Sequence, residues 1–208
     1  MVEDVARAAL AVFEERAPRT IVLSGGSTPK ALYELLSDVD YPWPEVECFF
    51  GDERCVPRTH QDSNLRMASE ALLFKVQARV YAIDGSTCDA GGYERALRRR
   101  FPDGPRFDLA IYGLGQDGHT ASLFPRRPEL HETERWAVHV PRAGQPPWVP
   151  RVTMTAPALS AAALGLFLVE GADKRDPLRR LMRGEDIPAS RMAPERLIVL
   201  ADAASGGG

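Results

Sequence analysis

Cysteine is scarce in this chain. Cys48, Cys55 and Cys88 are the only three in 208 residues, they form no C-x-x-C pair, and the count is odd. A disulfide framework is therefore not expected, and a chain of this length buries enough surface to hold a core without one. No apolar run approaches the roughly 20 residues that a membrane span needs. The opening stretch MVEDVARAALAVFEERA reads as an amphipathic helix carrying Glu3, Asp4, Glu14 and Glu15, which is unlike a secretory signal. The expectation is a soluble, cytoplasmic protein with reduced thiols and no membrane partner. Charge of one sign is also missing. The net charge is −3, and the nearest thing to a basic patch, Arg98 to Arg100, suits a solvated helix end. Nucleic acid is not an expected partner.

Several catalytic signatures are absent too. G-x-x-x-x-G-K-[ST] does not occur, which disfavours a nucleoside triphosphate. There is no G-x-S-x-G elbow, so a serine hydrolase has no nucleophile motif. HETER at His131 is not H-E-x-x-H, and the four histidines show no metal-site spacing with the cysteines. Neither a metal nor a cofactor is expected.

What is present is alternation. TIVLSGG, VECFFGDE, RVYAID and FDLAIYGLG read as strands, and PKALYELLSD, SNLRMASEALLF and CDAGGYERALRRRF as the helices between them, with Ser63 as a helix cap. RWAVHV, RVTMT, GLFLVEG and RLIVLAD follow as strands, with the helix-like DKRDPLRRLMRG before the last. This pattern predicts an α/β fold with a mostly parallel sheet and helices on both faces. FDLAIYGLG is apolar enough to lie centrally. The proline-rich 141–150 segment reads as a connection inside one domain spanning 1–204, and 205–208 as a disordered tail. Such sheets bind ligands beyond the carboxyl ends of their strands, where strand order switches.

Three strand ends carry chemistry. GLGQDGHTASLFP begins with G-x-G-x-x-G, yet Pro125 follows the last glycine too soon for a dinucleotide helix, and no carboxylate ends the next strand. A nicotinamide site is excluded on those grounds. The turn presents Asp117 and His119: either His119 is a general base oriented by Asp117, or Asp117 caps a short helix with His119 packed beside it. LSGGSTPK places Ser24, Gly25, Gly26, Ser27 and Thr28 ahead of a helix, a cradle suited to a phosphorylated metabolite. GDERCVP adds Asp52, Glu53 and Arg54 at the same edge.

Taken in order, SGGSTP, DERCVP with Ser63 and Asn64 downstream, GLGQDGHTASLFP, RVTMT and GADK resemble the 6-phosphogluconolactonases. The resemblance covers about residues 24 to 174, with a similar ending in LIVLADAAS. It implies a Rossmann-like fold related to glucosamine-6-phosphate deaminase and ribose-5-phosphate isomerase. The deaminase branch carries a glutamate immediately before the proline of its Asp-Gly-His motif, and Phe124 stands there instead. The implied activity is hydrolysis of 6-phospho-D-glucono-1,5-lactone in the pentose phosphate pathway. His119 is then the base, oriented by Asp117, and Asp52 places sugar or water. Arg54 or the N–H groups of the Gly115–Gly118 turn meet the oxyanion, or Arg54 instead serves the phosphate. The phosphate lies on Ser24–Thr28 with Arg151 and Lys174. A sugar-phosphate sensor is the non-enzyme alternative. The partner is a small sugar-phosphate lactone, and the expected state is a monomer or small homo-oligomer. Arg126 stands where the family often has glycine.

Overall fold

The computed structural model describes residues 2–206. Six strands form one parallel sheet in the order β4-β2-β1-β5-β8-β9: β1 (Thr20–Leu23), β2 (Glu47–Phe50), β4 (Arg79–Tyr81), β5 (Phe107–Gly113), β8 (Ala162–Val169) and β9 (Arg196–Ala201). A second sheet, β3 (Asp52–Arg54), β7 (Arg151–Met154) and β6 (Ala137–Val140), is antiparallel in the order β3-β7-β6. The helices are α1 (Val2–Arg16), α2 (Ser27–Leu36), α3 (Asn64–Ala68), α4 (Ala90–Arg100), α5 (Ala156–Ser160) and α6 (Arg175–Met182).

Burial follows the chemistry of each run. The central strands β1, β5 and β8 are apolar almost without interruption and largely buried on both faces, whereas no residue of the edge strands β4 and β9 is fully buried. On α1, Val5, Ala6, Ala9 and Phe13 recur on one helical face and are all buried. Strand order runs outward in one direction from β1 through β2 to β4, and in the other from β5 through β8 to β9. With right-handed crossovers, α2 and α6 fall on opposite faces of the sheet. The loops after β1 and β5 diverge at this switch point.

Three expectations need correction. VECFFGDE is not one strand. Gly51 donates to the Leu23 carbonyl and accepts from the Met154 N–H, so the chain leaves the parallel sheet there and Asp52–Arg54 pairs with β7. RWAVHV and RVTMT likewise form an antiparallel hairpin, with the proline-rich loop as its connection. The thiols are not all free either: Cys55 and Cys88 are joined as a disulfide, 33 residues apart. Cys48 is buried, and burial pushes its thiol up to about 12. Of the tail expected at 205–208, Ser205 is instead buried and bonded to Asp202, while 207–208 lie outside the described residues. No described helix is long and apolar enough to cross a membrane.

Candidate active site

At the switch point lies a cavity of about 490 Å³, lined from the ends of β1, β5 and β8 and from the small sheet. It gathers the residues that the sequence placed at the strand ends. Ser24, Gly25, Gly26, Ser27 and Thr28 line one side, Asp52, Arg54 and Arg151 another, and His119 and Lys174 complete it. Asp117 stands behind His119 rather than on the wall.

The Gly-rich turn after β5 is shaped around one imidazole. A Cβ at Gly115 would fall 2.0 Å from His119 Nδ1, and one at Gly118, where φ is +84°, would meet Ile187 at 2.8 Å. Glycine is required at both places. His119 Nδ1 lies 2.6 Å from Asp117 Oδ1, which also accepts the His119 N–H. Burial works to raise the Asp117 carboxyl, but the His119 ring, its N–H and the Gln145 amide together outweigh that and hold it below its ordinary value. An ionised Asp117 accepts a hydrogen bond from Nδ1–H, the tautomer that leaves Nε2 with its lone pair. The Phe124 ring, fully buried, packs at 4.7 Å from the imidazole as an apolar wall. The turn is therefore more than a helix cap, since no helix begins there. Its own N–H groups are another matter. Gly115 donates to the His119 carbonyl and Gly118 to that of Gly115. Those two N–H groups are engaged within the turn, which narrows its candidate oxyanion donors to the N–H groups of Gln116 and Asp117.

The phosphate-type cradle is built at the N-terminus of α2. Its first-turn N–H groups have no helical carbonyl to meet, and the dipole favours an anion there. Ser24 N–H is spent on the Tyr33 hydroxyl, which fixes the turn from behind. A Cβ at Gly25 would lie 2.1 Å from Asn64 Oδ1, so this glycine lets β1 and α3 close on each other. Thr28 Oγ1 donates to Glu170 at 2.5 Å, and the other Glu170 oxygen is buried without a partner.

Two arginines face the cavity side by side, because Arg54 and Arg151 are register partners on β3 and β7. Burial lowers the Arg151 pKa; the Asp52 carboxylate opposes that and the Arg54 cation adds to it. Arg151 is anchored through the carbonyls of Val149, Gln145 and Pro147. Arg54 donates to the Asp62 carbonyl, yet its Nε is buried with no partner. Such an orphaned donor beside a second cation suits an anionic ligand. Lys174 Nζ pairs with Asp173, which Gln116 also holds.

Asp52, on this wall, and Glu53, behind it, form its brace. Asp52 Oδ2 accepts from Ser122 at 2.6 Å and Oδ1 from Asn64 at 3.1 Å, tying the His119 turn to α3. Glu53 accepts from the N–H groups of Arg54, Asn64 and Leu65 and from the Ser63 hydroxyl. Burial raises its carboxyl, and these four bonds work against that. Glu170 and Gln145 escaped the sequence reading. Glu170 follows a central strand next to β5 and was open to the strand-end rule. Gln145 sits in a loop that read only as a connector.

Fold and cavity together define a Rossmann-like α/β protein with an Asp–His pair facing paired cations at a switch point. The glucosamine-6-phosphate isomerases/6-phosphogluconolactonase family model matches residues 1–200, and the chain belongs to that family. It is 40% identical over 195 residues to a 6-phosphogluconolactonase of Synechocystis, covering 88% of this chain and 79% of the relative. The crystal structure of 6-phosphogluconolactonase from Thermotoga maritima superposes with a TM-score of 0.82 at 32% identity, covering 96% of this chain and 92% of that one. A monomeric glucosamine-6-phosphate deaminase of the NagB superfamily shares the fold at a TM-score of 0.80 and 17% identity, covering 99% of this chain and 94% of that one.

Proposed function

We propose that the cavity hydrolyses 6-phospho-D-glucono-1,5-lactone to 6-phosphogluconate. The observation that carries this reading is the Asp117–His119 pair opening on the same cavity as Arg54 and Arg151. One end can activate water and the other can hold a phosphorylated ligand. The names of the relatives agree with it, and Phe124 at the position of the deaminase-type glutamate speaks against amine chemistry.

His119 Nε2 takes a proton from water as its oxygen attacks the lactone carbonyl. The carbonyl electron pair moves onto oxygen and gives a tetrahedral oxyanion. Collapse re-forms the carbonyl and breaks the bond to the ring oxygen, which receives the proton held by the imidazolium. Asp117 steadies the imidazolium without itself becoming protonated. The Arg54 Nε is the donor left free for an anionic oxygen of the ligand. The phosphate lies against Ser24–Thr28 and the α2 N-terminus, with Arg151 and Lys174 supplying charge. The same reading carries a cytoplasmic enzyme, one domain over 1–204, working as a monomer or small homo-oligomer.

The test is acid release from freshly generated lactone, with His119→Ala beside the parent and both against the spontaneous rate. The variant is expected to lose about 10²–10⁴-fold in rate while still binding 6-phosphogluconate. Equal acceleration by both would remove His119 as the base. Phosphosugar binding with no acceleration by either protein would make the cavity a sensor.

A further inference from the structure

Outside the cavity, one cluster of ligating side chains is assembled from three separate elements. Cys55 follows β3, Cys88 closes the loop before α4, and His139 sits on β6. Each offers one ligand atom, and the three atoms lie within 4.8 Å of one another. Cys55 and Cys88 are half-buried, and His139 is exposed.

Local structure fixes all three. Register pairs Glu53 with Val152 and Val152 with His139, so His139 stands across one strand from β3. Val138 and Val140 on either side are buried, which makes His139 the outward position of its strand. Loop 84–88 is pressed onto the β3 end. A Cβ at Gly85 would fall 2.4 Å from the Arg54 carbonyl oxygen and 2.5 Å from that of Val56, so only glycine allows the approach. Asp84 shapes the loop by accepting from the Ser86 N–H and, through its carbonyl, from that of Cys88. Cys88 has φ +53°, in the left-handed region, which turns its side chain back into the cluster against its intrinsic preference.

A disulfide has no use for an imidazole beside it. Two thiols and an imidazole held by rigid neighbours are a donor set for a borderline-soft divalent ion, with a fourth position open to water. We propose that Cys55, Cys88 and His139 bind one Zn²⁺ when the two cysteines are dithiols, and that the disulfide is the metal-free form. The Cα atoms of the two cysteines are 5.2 Å apart. On a tetrahedral ion the sulfurs stand about 3.7 Å apart, a separation that side-chain rotation supplies. The chemistry balances. A phosphine takes the two electrons' worth of oxidation, becoming its oxide with oxygen from water, while the S–S bond cleaves to two thiols. Binding of M²⁺ then releases two protons and forms two metal–thiolate bonds and one metal–imidazole bond. Either state clamps loop 84–88 to the strand that carries Arg54.

Co²⁺ reports the ligand set directly. The full chain is reduced with a phosphine, freed of reductant anaerobically and titrated with Co²⁺, with the oxidised chain in parallel. One Co²⁺ per reduced chain is expected, with thiolate-to-cobalt charge transfer and tetrahedral visible bands that Zn²⁺ displaces; the oxidised chain is expected to give neither. Cys88→Ser removes the charge-transfer intensity of one thiolate and His139→Ala weakens binding at least about tenfold, both with unchanged circular dichroism. Absence of thiolate bands in the reduced parent overturns the site. So does equal binding by the oxidised chain, or a His139→Ala variant that binds as the parent does.

Discussion

Asp117→Asn tests the catalytic pair while leaving its shape intact. The carboxylate is 2.6 Å from His119 Nδ1 and does not line the cavity, so the substitution acts on the imidazole and not on the ligand. A hydrogen bond to a charged group contributes about 1.5–3 kcal/mol. If the carboxylate steadies the imidazolium only as the proton moves, all of that falls on the barrier, and about 1.4 kcal/mol is tenfold in rate. The expected loss in kcat is therefore about 10–100-fold, with KM nearly unchanged. It must not exceed the loss in His119→Ala, because Asp117 acts through that ring. Acid release from fresh lactone, corrected for spontaneous hydrolysis, measures both terms. The double variant is the stricter assay: on a His119→Ala background, Asp117→Asn should cost almost nothing further. Additive losses, or a rise in KM at constant kcat, would refute the positioning role.

The same pair has a pH signature in stability. Asp117 is held below its ordinary value in the fold, so its contribution is present above the unfolded carboxyl range and is lost as pH falls through the lowered value. The stability gap between parent and Asp117→Asn, read by denaturant melts, should be full at neutral pH and close only in that acidic window. Glu53→Gln should destabilise by about 2–4 kcal/mol although it removes a buried charge, because four donors face the carboxylate and an amide offers one acceptor oxygen to them. A more stable variant in urea would mean that desolvation of Glu53 outweighs its bonds. Arg126 is exposed with φ +60°, in the left-handed region. Arg126→Gly should therefore raise stability by about 0.5–1 kcal/mol, the relief of strain less the added chain entropy; an unchanged or lowered melting midpoint would count against it.

Much of the architecture was legible because period and punctuation agree. Apart from the exposed Asp108, FDLAIYGLG is apolar at inward and outward positions alike and lies between β1 and β8, as a doubly covered strand must. Ser63 caps α3 by accepting the Arg66 N–H, as its position ahead of the apolar run suggests. The small sheet was not legible. Nothing in VECFFGDE marks Gly51 as the point where pairing moves from Leu23 to Met154, because a glycine inside a strand pattern reads equally as a bulge or a turn. Nor does the spacing of Cys55 and Cys88 announce contact. Their meeting depends on Gly85 reaching the backbone of residues 54–56, a long-range fit that no local rule encodes.

The small sheet is also what makes the site more than a switch-point crevice. The parallel sheet alone delivers the SGGST turn and the Asp117–His119 turn, both on loops that follow central strands. It has no means of presenting a fixed pair of cations opposite them. By leaving at Gly51 and pairing antiparallel with β7, the chain places Arg54 directly across from Arg151. Two like charges side by side would repel and relax outward on a free loop. Here Arg151 is held by three carbonyls and Arg54 by the Asp62 carbonyl, while Asp52 lines the same wall with both oxygens already engaged. The cations are hydrogen-bonded to backbone carbonyls, which leaves them charge to offer a ligand although nearby carboxylates offset part of it. Preorganisation of this kind explains why carboxylic side chains are buried at Asp52 and Glu53: they accept donors that set the wall in place, and the wall in turn awaits an anion.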